Sequence, residues 1–290
     1  MDDGGDCGCG GEVRVMGTRD LKYSVLMTVY KNDNPAYFAL SLDSMLHQTH
    51  KPDEIVVVKD GPVGAALQDV IDARLNQSVS IKQVQLPINL GLGLALNEGL
   101  KHCSNELVAR MDADDYSMPN RCELQVVAFK ENPRLDIVGC PADEFVDDID
   151  NIVGCRNVPY NNDDIYSFAR KRDPFNHPTV MYKKTTVIKA GMYSDYRKNQ
   201  DTDLWIKMLS NGAECMNLKE HVFRFRFDEG TYKKRKSWVN TKILLEIRYK
   251  AWQSGFNSFF DFLLVAVMQA GVYCLPVDFQ KWLYTKVLRK

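Results

Sequence analysis

Three carboxylates stand within four residues, at Asp112, Asp114 and Asp115, directly after the strand-like stretch LVARM. Like charges this close repel one another, and they are tolerated together when water or a divalent cation shares them. Mg²⁺ and Mn²⁺ typically bind one or two protein carboxylates together with phosphate oxygens. The pattern therefore indicates a site for a metal-bound phosphate. The alternative is a solvated acidic turn that precedes a helix.

A further acid, Asp60, follows the apolar run EIVVV and stands in a turn sequence with Gly61 and Pro62. Farther along the chain, Gly91 and Gly93 open a stretch of helical character. Two glycines at this spacing occur in the fingerprint of dinucleotide-binding proteins, but the third glycine of that fingerprint is missing. We therefore expect no dinucleotide site here.

Short apolar strands alternate with helices in the first half of the chain. The hydrophobic pattern predicts strands at 23–29, 54–58, 79–86, 106–111 and 136–140, and helices at 35–47, 92–103 and 119–130. Such alternation predicts an α/β fold with a doubly wound parallel sheet within residues 1–140. Ligands of these sheets bind beyond the carboxyl ends of the strands. Asp60 and the acids at 112–115 stand at two such ends.

The rhythm changes after Pro141. The pattern then predicts a hairpin at 143–160, strands at 178–182, 214–218 and 221–227, and helices at 163–171, 185–190 and 201–210. From Ser237 onward it is helical, with breaks at Gly255 and Pro276. No long linker precedes residue 230, so we expect one compact unit up to that point.

Six stretches of the sequence are more informative as a set than each is alone. They are SVLMTVYKND (24–33), SMLHQTHKPDEIVVVKDGP (44–62), NLGLGLALNEGL (89–100), LVARMDADDYSMPNR (107–121), FNHPTVMYKK (175–184) and QDTDLWIKMLSNG (200–212). In this order they resemble the nucleotide-sugar-dependent glycosyltransferases of family 2, and the C-terminal stretch 275–290 resembles the bacterial amylovoran-type members. The resemblance implies a GT-A (Rossmann-like) fold with a mostly parallel sheet flanked by helices.

The same resemblance implies roles for individual residues. The nucleotide-sugar would bind Thr28, Val29, Tyr30, Asp60, Asn89, Gly91, Leu92, Arg110, Asp112, Ala113 and His177. Asp112 and Asp114 match the D-x-D of the family and would ligate Mn²⁺ or Mg²⁺. Asp201 matches the catalytic acid and would act as the general base in an inverting transfer. Since Asp201 begins a helix, the helix dipole predicts a low pKa for it.

Four neighbouring side chains leave alternatives open. Asp115 either supports the metal site or caps the following helix, and Arg121 either neutralises the acids or approaches a phosphate. His177 either lines the binding pocket or is a packed, hydrogen-bonded core histidine. Asp203 stands two residues after Asp201, and we expect it to cap or brace its helix.

Charge is unevenly distributed along the 290 residues, although the net charge is only −1. Residues 231–290 contain 11 Lys or Arg and 3 Asp or Glu, a net charge of +8, which leaves −9 for residues 1–230. The same segment holds 12 of the 30 aromatic residues and the basic run 233–236. We expect a helical extension that contacts an anionic membrane. The alternative is a helical subdomain packed on the core.

The two ends of the chain set the expected location. Residues 1–20 are acidic and Gly-rich, without a secretory signal, and predict a disordered tail. Residues 256–276 form the longest apolar stretch, which allows a spanning helix, an interfacial or re-entrant helix, or a buried helical hairpin. We expect a tail at 1–20, a GT-A domain at 21–230 and an extension at 231–290, peripheral at the cytoplasmic face of the inner membrane. Free thiols agree with a reducing compartment.

The resemblance implies inverting transfer of a sugar, with a UDP-sugar as the expected donor, to a polyprenyl-diphosphate-linked saccharide in capsule, exopolysaccharide or O-antigen synthesis. One alternative is a catalytically silent assembly subunit. Another is a nucleotidyltransferase that makes sugar nucleotides, although the loop TVYKNDNP lacks the glycines typical of that class. No recognition motif accompanies the basic residues, so we expect no nucleic-acid partner.

Overall fold

The computed structural model of the chain describes residues 21–227 and 238–274. The predicted tail at 1–20 and the basic run at 233–236 lie outside the described residues. The stretch 275–290, with the predicted break at Pro276, lies outside them as well. Of the predicted extension, residues 238–274 can be compared with the structure.

Alternating strands and helices occupy the first half of the chain, as predicted. The strands are β1 (Tyr23–Val29), β2 (Glu54–Lys59), β3 (Ser80–Gln85), β4 (Leu107–Met111), β5 (Tyr116–Ser117) and β6 (Leu135–Gly139). The helices are α1 (Pro35–Leu46), α2 (Ala65–Asp72), α3 (Leu92–His102) and α4 (Arg121–Glu131). The sequence did not predict α2 and β5, because both are too short to show a clear period.

The second half adds smaller elements. They are β7 (Ala142–Val146), β8 (Asp148–Arg156), α5 (Asn162–Ala169), β9 (Met181–Lys183), α6 (Lys184–Lys189), α7 (Gln200–Ser210), β10 (Glu214–Asn217) and β11 (Phe223–Arg226). The antiparallel pairing of β7 with β8 confirms the predicted hairpin. The predicted strand at 178–182 is partly wrong, because a 3₁₀ turn occupies His177–Thr179. Pro178 has no N–H to offer a sheet.

The main sheet has seven strands in the order β10-β6-β9-β4-β1-β2-β3. Neighbouring strands run parallel, except that β9 is antiparallel to both β4 and β6. The prediction of a parallel sheet formed within residues 1–140 therefore needs one correction, since β9 enters between β4 and β6 from later in the chain. Val25 and Leu26 of β1 belong to different hydrophobic clusters, one on each face of the sheet.

The strand registers bring the carboxyl ends of the central strands to one edge. Val29 pairs with Lys59, and Met27 pairs with Met111. The residues that follow β1, β2 and β4 therefore meet at this edge, as expected for an open α/β sheet. A second sheet of four strands, in the order β5-β11-β7-β8, completes the domain.

Two further helices are described in the extension, α8 (Trp238–Gln253) and α9 (Phe259–Cys274). The predicted break at Gly255 is confirmed, and this residue has a φ of +81°. Ile247 and Ala251 of α8 are buried against Ile206 of α7, so α8 packs on the domain. Within the described ranges, no helix is long and apolar enough to cross a bilayer.

Candidate active site

A cavity of about 300 Å³ lies where β1, β2 and β4 end. Ten of the predicted site residues line it: Thr28, Val29, Tyr30, Asp60, Asn89, Gly91, Leu92, Asp112, Ala113 and Asp114. Two lining residues, Asp33 and Arg197, were not predicted. The predicted site residues Arg110, His177 and Asp201 are not part of the lining.

Asp60 fixes the loop that forms one wall of the cavity. Its Oδ1 accepts a hydrogen bond from the Leu90 N–H at 2.7 Å. Its Oδ2 accepts from the Gly91 N–H at 3.0 Å and from the Asn89 Nδ2 at 2.8 Å. A carboxylate oxygen can accept more than one hydrogen bond, so Asp60 can both hold this loop and accept an N–H from a ligand.

Gly91 is required at its position for two reasons. Its φ of +93° lies in the region that residues with a Cβ rarely adopt. A Cβ at this position would lie 2.6 Å from Nη1 of Arg197. The missing side chain therefore makes room for the guanidinium of Arg197 at the cavity.

Asp112 is oriented by a buried arginine beneath the cavity. The Arg110 guanidinium, which is fully buried, donates to Oδ1 of Asp112 and to the Met111 carbonyl. Arg121 is also fully buried and donates to the carbonyls of Arg110 and Pro178, each at 3.1 Å. Arg121 therefore joins β4 to the turn before β9, which neither of its predicted roles described.

The other two acids of the cluster differ from each other. Asp114 lines the cavity, and burial together with the charge of Asp112 raises its pKa to about 6. Asp115 is buried, and its Oδ1 accepts from the Arg226 N–H at 2.8 Å. Burial and the charge of Asp114 raise the pKa of Asp115 well above its usual range. Asp115 thus fastens the cluster to β11 and does not cap α4.

The donor set of the cavity suits some cations better than others. Two carboxylates of the D-x-D, Asp112 and Asp114, line it. In the part of the chain that the structure describes, no group of three His, Cys, Asp or Glu side chains could hold a metal ion. A cation that needs a full set of protein ligands therefore does not fit. Mg²⁺ and Mn²⁺ fit, because they accept one or two carboxylates and complete their shell with phosphate and water.

His177 is packed in the core below the site. Its Nε2 lies 3.0 Å from the hydroxyl of Tyr193, and its ring meets the ring of Trp205 edge-on at 5.9 Å. Burial, helped by the charge of Arg110, lowers the pKa of His177 to about 3, so the ring is neutral. These contacts fit the interpretation of a hydrogen-bonded core histidine.

Asp201 lies in the first turn of α7. Burial and the charge of Asp173 raise its pKa to about 7, although the backbone N–H groups of Thr202 and Asp201 oppose the shift. The prediction that the helix dipole keeps this pKa low is wrong, because the cost of burying the charge is larger.

Asp203, two residues farther on, has a structural role, as expected. Its Oδ2 accepts from Oγ of Ser194 and pairs with Nζ of Lys207, each at 2.6 Å. These contacts tie α7 to the segment that precedes it.

Two cavity residues were missed from the sequence. Asp33 accepts from the Tyr30 N–H at 2.9 Å, and burial together with Asp114 and Asp112 raises its pKa to about 7. It follows β1 closely, so the same strand-end rule that points to Asp60 could have found it. Arg197 lies 108 positions from Asn89, its partner in the fold, and no local pattern signals it.

Comparison with known proteins agrees with this architecture. The profile of glycosyl transferase family 2 matches residues 24–197. The UDP-Gal:alpha-D-GlcNAc-diphosphoundecaprenol beta-1,3-galactosyltransferase of Escherichia coli is 32% identical, over 93% of this chain and 97% of its own length. The amylovoran biosynthesis glycosyltransferase AmsE of Erwinia amylovora is 34% identical, over 91% of this chain and 98% of its own length.

A solved structure is similar in fold. TarS 1–349 of Staphylococcus aureus, in complex with UDP-GlcNAc, matches with a TM-score of 0.64 and 18% identity, over 92% of this chain and 73% of that chain. The predicted fold class, a GT-A type α/β fold with a large sheet flanked by helices, is confirmed. Because the family profile covers more than half of the chain and both relatives align along nearly their whole length, the chain belongs to glycosyl transferase family 2.

Proposed function

We propose that this glycosyltransferase moves a sugar from a UDP-sugar to a hydroxyl of a lipid-diphosphate-linked saccharide, with inversion at the anomeric carbon, in surface polysaccharide synthesis. The cavity at the strand ends is the main support for the proposal, because Asp60, Asp112, Asp114 and the loop at Gly91 all line it. A cavity that is lined by carboxylates and by the backbone of a loop suits a nucleoside diphosphate that is bound together with a cation. The nucleotide named for the Escherichia coli relative supports UDP.

The positions of the predicted residues imply how the donor would be oriented in the cavity. Its nucleoside would contact Thr28, Val29 and Tyr30, where Asp60 can accept a base N–H. Its diphosphate would lie toward Asp112 and Asp114. Arg110 supports this arrangement from below, since its buried guanidinium pairs with Asp112 and orients it.

Asp112 and Asp114 would hold Mn²⁺ or Mg²⁺ together with the diphosphate. When it is bound, such an ion neutralises negative charge on the departing diphosphate. The raised pKa of Asp114, about 6, still leaves this carboxylate mostly ionised above pH 7. The protein therefore offers two carboxylate ligands and leaves the remaining positions to the donor and to water.

Asp201 would act as the general base. In a single displacement, the acceptor oxygen bonds to the anomeric carbon while the bond from that carbon to the diphosphate oxygen breaks. The acceptor hydroxyl proton passes to the Asp201 carboxylate, and the electron pair leaves with the diphosphate. A pKa of about 7 suits this task, because the group is ionised near neutral pH and still basic enough to accept a proton.

The acceptor's lipid would bring the protein to the cytoplasmic face of the inner membrane. The α9 face, defined as Phe260, Leu263, Leu264, Val267 and Met268, is exposed and apolar. Its exposure does not fit a fully buried hairpin and supports an interfacial helix at a membrane surface. The net charge of +8 over residues 231–290 and the lipid named for the Escherichia coli relative support the same location.

A turnover assay tests the proposal. The protein is incubated with UDP-, dTDP- and GDP-sugars, Mn²⁺ or Mg²⁺, and a polyprenyl-diphosphate-linked saccharide, and nucleotide release and product mass are measured. We expect one UDP-sugar to be consumed and one sugar to be added, with an anomeric configuration opposite to that of the donor. If the protein neither bound nor consumed any nucleotide-sugar, the result would instead support the alternative of a catalytically silent assembly subunit.

A further inference from the structure

Arg197 stands out by its charge among the residues that line the cavity. Within the described residues, the lining contains four carboxylates, Asp33, Asp60, Asp112 and Asp114, and one cationic side chain, Arg197. A nucleoside diphosphate adds further negative charge to this surface. A cationic side chain beside the diphosphate would offset part of this charge.

The side chain of Arg197 lies on the backbone of the loop at Gly91. Its Nη1 would lie 2.6 Å from a Cβ at Gly91 and is 3.4 Å from Oδ1 of Asn89. A guanidinium has five N–H donors, and this one long hydrogen bond uses few of them. The group is thus beside the wall that Asp60 holds, with hydrogen-bonding capacity to spare.

The segment that carries Arg197 is held on both sides. Tyr193 exchanges hydrogen bonds of 2.9 and 2.8 Å with Asn97 of α3. On the other side of Arg197, Asn199 donates to Oδ1 of Asn240 in α8 at 2.8 Å. The Tyr196 hydroxyl also bonds to Glu246 of α8 at 3.0 Å. The backbone around Arg197 is therefore fixed before a ligand arrives.

We infer that Arg197 binds the diphosphate of the donor and stabilises its negative charge as the sugar leaves. The inference rests on the proposed function and adds a residue that the family resemblance did not supply. Guanidinium groups form paired, charge-assisted hydrogen bonds with phosphate oxygens. Asp201 follows in the same stretch of chain, so one segment presents both the cation for the leaving group and the base for the acceptor.

Ligand titrations separate this role from a general effect on the cavity. The binding of UDP, UMP and uridine to the full chain is measured by calorimetry for wild type, Arg197→Ala and Arg197→Lys. Lys198→Ala serves as the matched control, since Lys198 is an exposed neighbour outside the cavity lining. We expect Arg197→Ala to weaken UDP binding about tenfold or more and to change uridine binding less than about twofold.

Arg197→Lys should fall between wild type and Arg197→Ala, because an ammonium keeps the charge and loses the paired geometry. Lys198→Ala should match wild type for all three ligands. Equal weakening of UDP and uridine in Arg197→Ala would overturn the inference, and so would unchanged UDP binding. If wild type bound no nucleoside diphosphate in a panel with GDP and dTDP, the proposed function itself would fail.

Discussion

At the scale of single residues, one side-chain type performs several tasks because its surroundings differ. Asp60 uses both oxygens to hold the loop at Gly91, while Asp112 is paired with Arg110. Burial raises the pKa of Asp114 to about 6 and that of Asp201 to about 7. Two carboxyl groups whose surroundings give them different pKa values are suited to different roles in one reaction.

The raised pKa of Asp201 predicts how activity depends on pH. A base must be unprotonated, so kcat at saturating donor should rise about tenfold per pH unit below pH 7 and level off above it. A pH–rate profile from 5.5 to 8.5 checks this expectation. A rate that is flat over this range would contradict it.

Asp33 supplies the control for that profile, because burial raises its pKa to about 7 as well. In Asp33→Asn the rise in kcat should persist, since Asp33 accepts no proton from the acceptor in the proposed reaction. Loss of the pH dependence in Asp33→Asn would assign the titration to Asp33 and remove it from Asp201.

Gly91→Ala tests the packing of Arg197 on the loop. The variant should lose about 1–2 kcal/mol of folding stability, because a Cβ is strained at positive φ. It should also bind UDP about tenfold more weakly, because the Cβ displaces the guanidinium. Gly212→Ala is the matched control, with a φ of +82° and no atom within 4 Å of its Cβ. Equal UDP binding by the two variants would contradict the expectation.

The sequence predicted which acids form the site more accurately than it predicted the surroundings of those acids. Asp60, Asp112 and Asp114 follow apolar strands, and a strand end in an α/β sheet is a place where ligands bind. Arg197 could not be found in this way, because only the tertiary fold brings it to Asn89. The pKa of Asp201 was predicted in the wrong direction, since the sequence shows the helix start but not the burial.

At the scale of elements, the segment between α6 and α7 connects the site to α8. Asn199 has a φ of +54° at the start of α7, and Asn240 of α8 accepts its side-chain hydrogen bond. Tyr196 bonds to Glu246 and Lys250 of α8. The helix α8 therefore braces the segment that carries Arg197 and leads into Asp201.

Asn240→Ala should lower kcat although Asn240 is no part of the cavity. Without the side-chain acceptor, Asn199 keeps only its 3.3 Å hydrogen bond to the Asn240 carbonyl and holds the strained start of α7 less firmly. A base displaced by a fraction of an ångström loses rate. We expect a decrease of about tenfold in kcat, with a smaller change in UDP affinity. Lys242→Ala, an exposed change on the same helix, should leave both unchanged. If the two variants behaved alike, α8 would have no such bracing role.

Helices and strands were predictable from the sequence where they are long enough to show a clear hydrophobic period. The strand at 23–29 and the helix at 201–210 are found within one residue, because buried runs and amphipathic turns mark them. A strand was predicted at 178–182, but the antiparallel place of β9 between β4 and β6 was not. That pairing depends on strands far away in the sequence.

At the scale of the whole molecule, the sequence is acidic up to residue 230 and is basic and rich in aromatic residues after it. The net charges are −9 for residues 1–230 and +8 for residues 231–290. The α9 face adds apolar surface to the extension, while α8 joins it to the active-site segment. In the proposed function, this arrangement orients the cavity relative to the membrane that holds the acceptor.

Val267→Asp tests contact between the α9 face and a membrane. The full chain should sediment with vesicles that contain phosphatidylglycerol, and less with neutral vesicles or at high salt. Val267→Asp should bind several-fold less, because a charge enters the apolar surface. Ile188→Asp is the matched control, since Ile188 is similarly exposed on α6. Equal binding by the two variants would argue against contact through the α9 face.

Asp201→Asn separates sugar transfer with Asp201 as the base from every other role of this residue. Its UDP affinity and its rate of transfer from the preferred donor are measured beside Asp195→Asn, an exposed change in the same segment. We expect UDP affinity within about threefold of wild type and transfer reduced about 10²–10⁴-fold, with Asp195→Asn like wild type. Transfer by Asp201→Asn at the wild-type rate would contradict it.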